Sequence, residues 1–313
     1  MPAIQANGIK QNYEVMPPRD ATDGPSPTIV CVHGILIDSL ASYYFTLAKA
    51  LRDAGFRVVM YDLRGHGNSE RPPTGYQVDD FVDDLTALLD ALDITEPVYL
   101  LGNSFGGTVA YGFAERNPHR AAGVATVESE PATAQWSVKM TANLHRAATQ
   151  LGTFEAIAWI TARHGPHLAR RAKRAAKMLA ATTLEHDLPA SRVLSPDQIT
   201  ALSCPVLAVY GSESDLAEQA PVLEALMPRC TTAILPGQEH SVLVEVPRTV
   251  LDLLLTWIGG HRPVANTSGT TIDTDAGAGA QVSVRAGASA AAHARAHARA
   301  RTAATAGTGA QAG

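Results

Sequence analysis

Gly102-Asn103-Ser104-Phe105-Gly106-Gly107 lies between an apolar run, Val98-Tyr99-Leu100-Leu101, and the segment Thr108-Val109-Ala110-Tyr111-Gly112-Phe113-Ala114. The run reads as a short buried strand and the segment as a helix. Gly-x-Ser-x-Gly at a strand-to-helix junction is a nucleophile elbow, a sharp turn that holds a serine hydroxyl above the end of a sheet. Glycines are required there because the turn is strained and the strand and helix run too close for a Cβ. The pentapeptide alone is a weak signal, and its strand–turn–helix setting gives it weight.

Outward from that turn, strands and helices alternate. Thr28–Val32, Phe56–Tyr61, Gly123–Val127, Pro205–Tyr210 and Thr232–Leu235 read as strands. Helices are expected over Ser39–Arg52, Asp79–Leu92, the elbow helix to Arg116, Ala217–Leu226 and Pro247–Ile258. Unalternated apolar strands separated by helices predict an α/β fold, with a mostly parallel sheet covered on both faces. Ile4 to Met16, with a turn at Gly8, fits an antiparallel hairpin at one edge. The stretch 131–200 breaks the rhythm, with no convincing strand, and reads as a helical cap over the carboxyl ends of the strands, where open α/β sheets bind ligands. The resulting division is a core over 1–130 and 201–260, a cap over 131–200 and a low-complexity tail over 261–313. That tail, ending in Ala-His-Ala-Arg repeats, has too few large apolar side chains to offset its ordering entropy and is expected to be disordered.

Composition narrows the function. The 313 residues are 46% hydrophobic and 18% charged, an ordinary globular balance. A net charge of −5 does not point to nucleic acid. No apolar run approaches the ~20 residues of a membrane span, and the N-terminus lacks the marks of a secretory signal, so a cytoplasmic address without membrane attachment is expected. Cys31, Cys204 and Cys230 read as reduced core thiols. No metal-ligand spacing and no dinucleotide fingerprint is present, and neither metal nor cofactor is expected. The basic run Arg170, Arg171, Lys173, Arg174, Lys177 reads as a solvated helix face. Nothing in the letters separates a monomer from a homodimer.

A serine hydroxyl needs a base within hydrogen-bond reach and an acid that orients the base. On a sheet of this kind the chain order is Ser, Asp or Glu, His. His240 lies just past the last expected strand, in Pro236-Gly237-Gln238-Glu239-His240-Ser241, and is the candidate base. Asp215, in Gly211-Ser212-Glu213-Ser214-Asp215, is the preferred acid. Glu213 and Glu128 stay open, since Glu128 ends the preceding strand and reaches the same edge. A developing oxyanion needs preorganised donors. These are the backbone amide of Phe105 and that of Ile35, in the loop His33-Gly34-Ile35-Leu36, with Leu36 next in line. His33 is expected to brace that loop.

Together, His33-Gly34, Asp62-Leu63-Arg64-Gly65-His66-Gly67-Asn68-Ser69, the elbow and the spacing of Asp215 and His240 resemble the α/β-hydrolase superfamily over residues 4 to 260. The resemblance implies an eight-stranded-type sheet and, because the elbow residue is serine, a serine triad in place of the aspartate chemistry of epoxide hydrolases and haloalkane dehalogenases. It also implies that Arg64-Gly65-His66-Gly67 is a structural turn. The acid loop is one residue longer than the commoner Gly-x-x-Asp, and Ile35-Leu36 replaces the Phe or Pro of many relatives. The expected reaction is hydrolysis of an ester or thioester of a small, largely apolar molecule through an acyl-Ser104 intermediate. Asn103 resembles the elbow of hydrolases that cut carbon–carbon bonds in vinylogous diketones, a second reading. Cyclisation or bond formation on a polyketide-like substrate is a third, and a non-catalytic ligand receptor a fourth. Pocket walls are expected from Leu36, Asn103, Trp136, Met140 and Trp159, with Leu144, Phe154 and Ile160 as further apolar candidates.

Overall fold

The protein is described by a computed structural model over residues 2–20 and 26–261. The expected tail, apart from His261, lies outside the described residues. The strands are β1 (Ala3–Ala6), β2 (Ile9–Met16), β3 (Thr28–Val32), β4 (Arg57–Tyr61), β5 (Val98–Asn103), β6 (Ala121–Val127), β7 (Val206–Gly211) and β8 (Cys230–Leu235). They form one sheet in the order β1-β2-β4-β3-β5-β6-β7-β8. The β1–β2 hairpin, turned by Asn7 and Gly8 at positive φ, pairs antiparallel, as does β2 with β4, and every other pairing is parallel.

Helices α1 (Ala41–Tyr44) and α2 (Ala48–Asp53) stand where the sequence predicts one continuous helix. They are followed by α3 (Val78–Ala91) and α4 (Phe105–Arg116). Between β6 and β7 lie α5 (Ala134–Gln150), α6 (Phe154–Ala181), α7 (Leu184–Asp187) and α8 (Pro196–Thr200). Helix α6 is broken at Gly165, whose φ is +85°, just before Pro166. Proline removes an amide donor and disfavours helical backbone in the residue before it. The chain then adds α9 (Gln219–Leu226), α10 (Val242–Glu245) and α11 (Pro247–His261).

Alternate residues of β3 feed two cores, the geometry of a strand buried on both sides. Val30 and Val32 join Phe81, Leu85 and Val109 of α3 and α4 on one face. Ile29 and Cys31 join Leu51 of α2 and Leu254 of α11 on the other. Among the described residues no helix is long and apolar enough to cross a membrane.

A buried ion pair ties the edge hairpin to the helical layer. Arg64 donates to both carboxylate oxygens of Asp84, at 2.6 Å each, and also to the Gly75 carbonyl. Asp84 accepts a further hydrogen bond from the Asn7 amide at 2.8 Å, and its backbone carbonyl accepts one from Gln11. With Asp84 1% and Arg64 5% exposed, neither charge has water to fall back on. Truncating one member of such a pair strands the other at a cost of about 3–5 kcal/mol, whereas an apolar pair of similar volume is close to neutral. We expect Asp84→Ala to lower the unfolding free energy, read from urea denaturation, by that amount and the double change Arg64→Met, Asp84→Leu to restore most of it. Equal losses in the single and double variants would contradict a stabilisation that depends on pairing.

Candidate active site

The site is built on the carboxyl ends of β3, β5, β6 and β8. At the end of β5, Ser104 takes φ +51° and ψ −124°, and its amide donates to Val127 of β6 at 2.8 Å. Two glycines make this turn possible. A Cβ on Gly106 would run into the Val32 carbonyl of β3, and one on Gly102 into the Gly107 backbone. The packing of strand against helix thus excludes side chains on both sides of the serine and forces it into the left-handed region.

His240 lies in the loop after β8, with its side chain 53% exposed. Its Nε2 is 3.1 Å from Ser104 Oγ, and its Nδ1 is 3.1 Å from Glu128 Oε2. With Nδ1–H donating to the carboxylate, Nε2 is left to accept from the hydroxyl. Glu128 stands immediately after β6 at φ +54°, continues the β6–β7 ladder by donating from its amide to Val209 at 2.8 Å, and is fully buried.

Here the sequence-based preference is corrected. Asp215 is exposed on the cavity rim and makes no hydrogen bond to His240, and Glu213 is exposed beside Ser212. The place against Nδ1 is held by Glu128, because the β7 loop supplies donors instead of an acid. The Gly211 amide and the Ser214 hydroxyl each donate to the Glu128 carboxylate at 2.5 Å. Two short charge-assisted bonds fix a carboxylate that water does not reach. The legible signal was the position of Glu128 itself, at the end of the strand beside β5. The role of Ser214 had none.

The second loop is set by two histidines. His33 donates from Nδ1 to the Gly34 carbonyl at 2.7 Å and accepts the Leu63 amide at Nε2, 3.0 Å away. His66 donates from Nδ1 to the Arg64 carbonyl at 2.8 Å and accepts the Leu36 amide at 2.8 Å. Asp38 accepts the Gly34 amide at 2.8 Å. Leu36, at φ +66°, therefore has its amide tied to His66. The Ile35 and Phe105 amides have no acceptor among the described residues, and both residues line the cavity above Ser104.

That cavity has a volume of about 310 Å³. Leu36, Trp136 and Met140 line it, with Leu144, as the sequence suggests. Asn103 and Trp159 do not. Asn103 ends β5 with its Oδ1 buried and unpartnered, and Trp159 is 59% exposed against His164. Phe154 is 83% exposed. The walls are more polar than the cap sequence predicts, because Glu130 pairs with Lys139 at 3.1 Å along the same lining. Among the described residues no cluster of His, Cys, Asp or Glu has the arrangement of a metal site.

Burial, with the neighbouring His33, pushes the His66 imidazole down to about 3. The folded chain thus refuses a proton that the unfolded chain accepts near pH 6.5, so His66 contributes stability that is full above pH 6.5 and falls as the pH drops toward 3. We expect the His66 nitrogens to report a neutral Nδ1–H tautomer by NMR from pH 8 down to pH 4.5. A titration midpoint near 6.5 in the folded protein would contradict the role given to this ring.

Known proteins are similar to this chain in sequence and in fold. A pimeloyl-[acyl-carrier protein] methyl ester esterase of Aeromonas hydrophila is 28% identical over 257 residues, covering 75% of this chain and 97% of that protein. A putative non-heme haloperoxidase of Mycobacterium phage D29 is 33% identical over 109 residues, 35% of this chain and only 38% of the phage protein's length. Among solved structures, a thermophilic esterase from Thermogutta terrifontis superposes with a TM-score of 0.65 at 23% identity, covering 83% of this chain and 99% of that one, a likeness of fold. The model of the alpha/beta hydrolase fold family matches residues 27–245, more than two thirds of the sequence. With the eight-stranded sheet and the serine elbow, that match makes this chain a member of the α/β-hydrolase fold family.

Proposed function

We propose that this protein is a serine hydrolase that cleaves a carboxylic ester or thioester through an acyl-Ser104 intermediate. The observation that carries the reading is the continuous line from Ser104 Oγ to His240 Nε2, at 3.1 Å, and from His240 Nδ1 to Glu128, at 3.1 Å. In this reading His240 takes the hydroxyl proton as Oγ attacks the carbonyl carbon, then returns it to the departing alcohol or thiol. The same ring next takes a proton from water as its oxygen adds to the acyl carbon, and returns that proton to Ser104 Oγ as the acid departs.

Glu128 does not take the proton. It holds the ring in the Nδ1–H tautomer and stabilises the imidazolium, and its two donors keep the carboxylate from rotating away. The Ile35 and Phe105 amides are assigned to the oxyanion, since the neighbouring Leu36 amide is already engaged by His66. The mixed lining supports an acyl group with apolar length along Trp136 and Met140 and polar groups near Lys139.

A fluorophosphonate probe should label the protein and fail to label Ser104→Ala. With p-nitrophenyl esters, Glu128→Gln should lower kcat about 10³–10⁴-fold, the scale set by loss of the correct imidazole tautomer. Asp215→Asn should stay within about threefold. No labelling of the folded protein would overturn the acyl-enzyme, and a larger loss in Asp215→Asn than in Glu128→Gln would overturn the assignment of the acid.

A further inference from the structure

The cap is charged against the rest of the molecule. Residues 131–182 hold eight lysines and arginines and a single acid, Glu155, in a chain whose net charge is −5. The second half of α6 buries Ala169, Ala172, Ala175 and Met178, which turns Arg170, Arg171, Lys173, Arg174 and Lys177 outward. The face is not uniformly solvated, as the sequence alone suggests. Arg171 and Arg174 border a second cavity of about 200 Å³, whose far side carries Arg71.

The charges on this cavity are unbalanced. Asp38 is its one carboxylate, and it meets Arg171 at 3.3 Å while also accepting the Gly34 amide. Among the described residues Arg71 donates only to the Gly65 carbonyl, at 3.2 and 3.3 Å. Arg174 has no hydrogen-bonding or ionic partner among the described residues. His66 also borders the space, but it is neutral and both its nitrogens are engaged. Three guanidinium groups therefore face one carboxylate. A guanidinium presents a planar fork of donors that matches a carboxylate or phosphate, and it stays charged throughout the working pH range.

The cavity also adjoins the candidate site. Leu36 lines both spaces, and its amide is fixed by His66 on the basic side. We propose that this second cavity is an anion subsite, which receives a carboxylate or phosphate carried on the remote end of the molecule whose carbonyl Ser104 attacks. The proposal rests on the hydrolase reading for the reacting end, whereas the recognition of the anion stands on the arginines alone.

The test uses p-nitrophenyl monoesters of linear dicarboxylic acids from four to eight carbons, esters of the same lengths ending in methyl, and a third series ending in a phosphate monoester. At one length an anionic ester should exceed its methyl-ended partner about tenfold in kcat/KM, and comparison of the two anionic series identifies which anion is preferred. Arg174→Gln should bring that ratio close to one, while Lys173→Gln, which removes an equal charge that does not border the cavity, should leave the ratio in place. Raising NaCl from 0.05 to 0.5 M should shrink it. Absence of a preference at every length, or an equal fall of the ratio in both variants, would overturn the proposal. Calorimetry on Ser104→Ala with adipate and with inorganic phosphate separates this outcome from failure of the hydrolase reading. One of the two ions should bind and be lost in the Ser104→Ala, Arg174→Gln double variant, and no heat from either would overturn the subsite even if esters are cleaved.

Discussion

A carboxylate with no access to water governs the geometry of the candidate site. Its partners are all protein groups, with the Gly211 amide donating to Glu128 Oε1 and the Ser214 hydroxyl and His240 Nδ1 meeting at Oε2. Each requirement constrains a different element. β6 must end one residue before the carboxylate with a left-handed turn, β7 must offer an amide and a hydroxyl at its end, and the loop after β8 must bring an imidazole back over β5. The serine completes the line because two missing Cβ atoms let α4 begin directly on the end of β5.

The same logic organises the opposite loop. Gly34 to Leu36 are held by Asp38 and His66, and His66 is held in turn by the Arg64 carbonyl. Arg64 is anchored by Asp84 at the centre of α3, which also receives the β1–β2 hairpin through Asn7. A chain of polar contacts thus runs from the edge of the sheet to the loop that carries Ile35. Such networks are stabilising only when every member is satisfied.

Much of the fold was legible because its signals are local. Val98–Leu101 with the glycines after it can hardly be anything but a strand entering a tight turn, and the Asn7-Gly8 hairpin and the stripe Phe81, Val82, Leu85, Leu88, Leu89 are equally explicit. The division of Ser39–Arg52 into two short helices was not, since its apolar spacing continues through the break. Ser104 and His240 follow from their places at strand ends. The acid did not follow, because the choice between Glu128 and Asp215 turns on which carboxylate the β7 loop solvates, a contact across 83 or more positions of sequence. The pocket was the least legible part. Trp136 and Trp159 look alike as apolar cap residues, and the packing of α5 and α6 alone separates the one that lines the cavity from the one that faces solvent.

The most direct test of this account is a crystal structure of the protein with a phosphonate bound covalently to Ser104. The account predicts one phosphonyl oxygen about 3 Å from the amides of both Ile35 and Phe105, with Glu128 still against His240 Nδ1. An adduct whose oxygen points away from those amides, or an imidazole that has turned to Asp215, would contradict it.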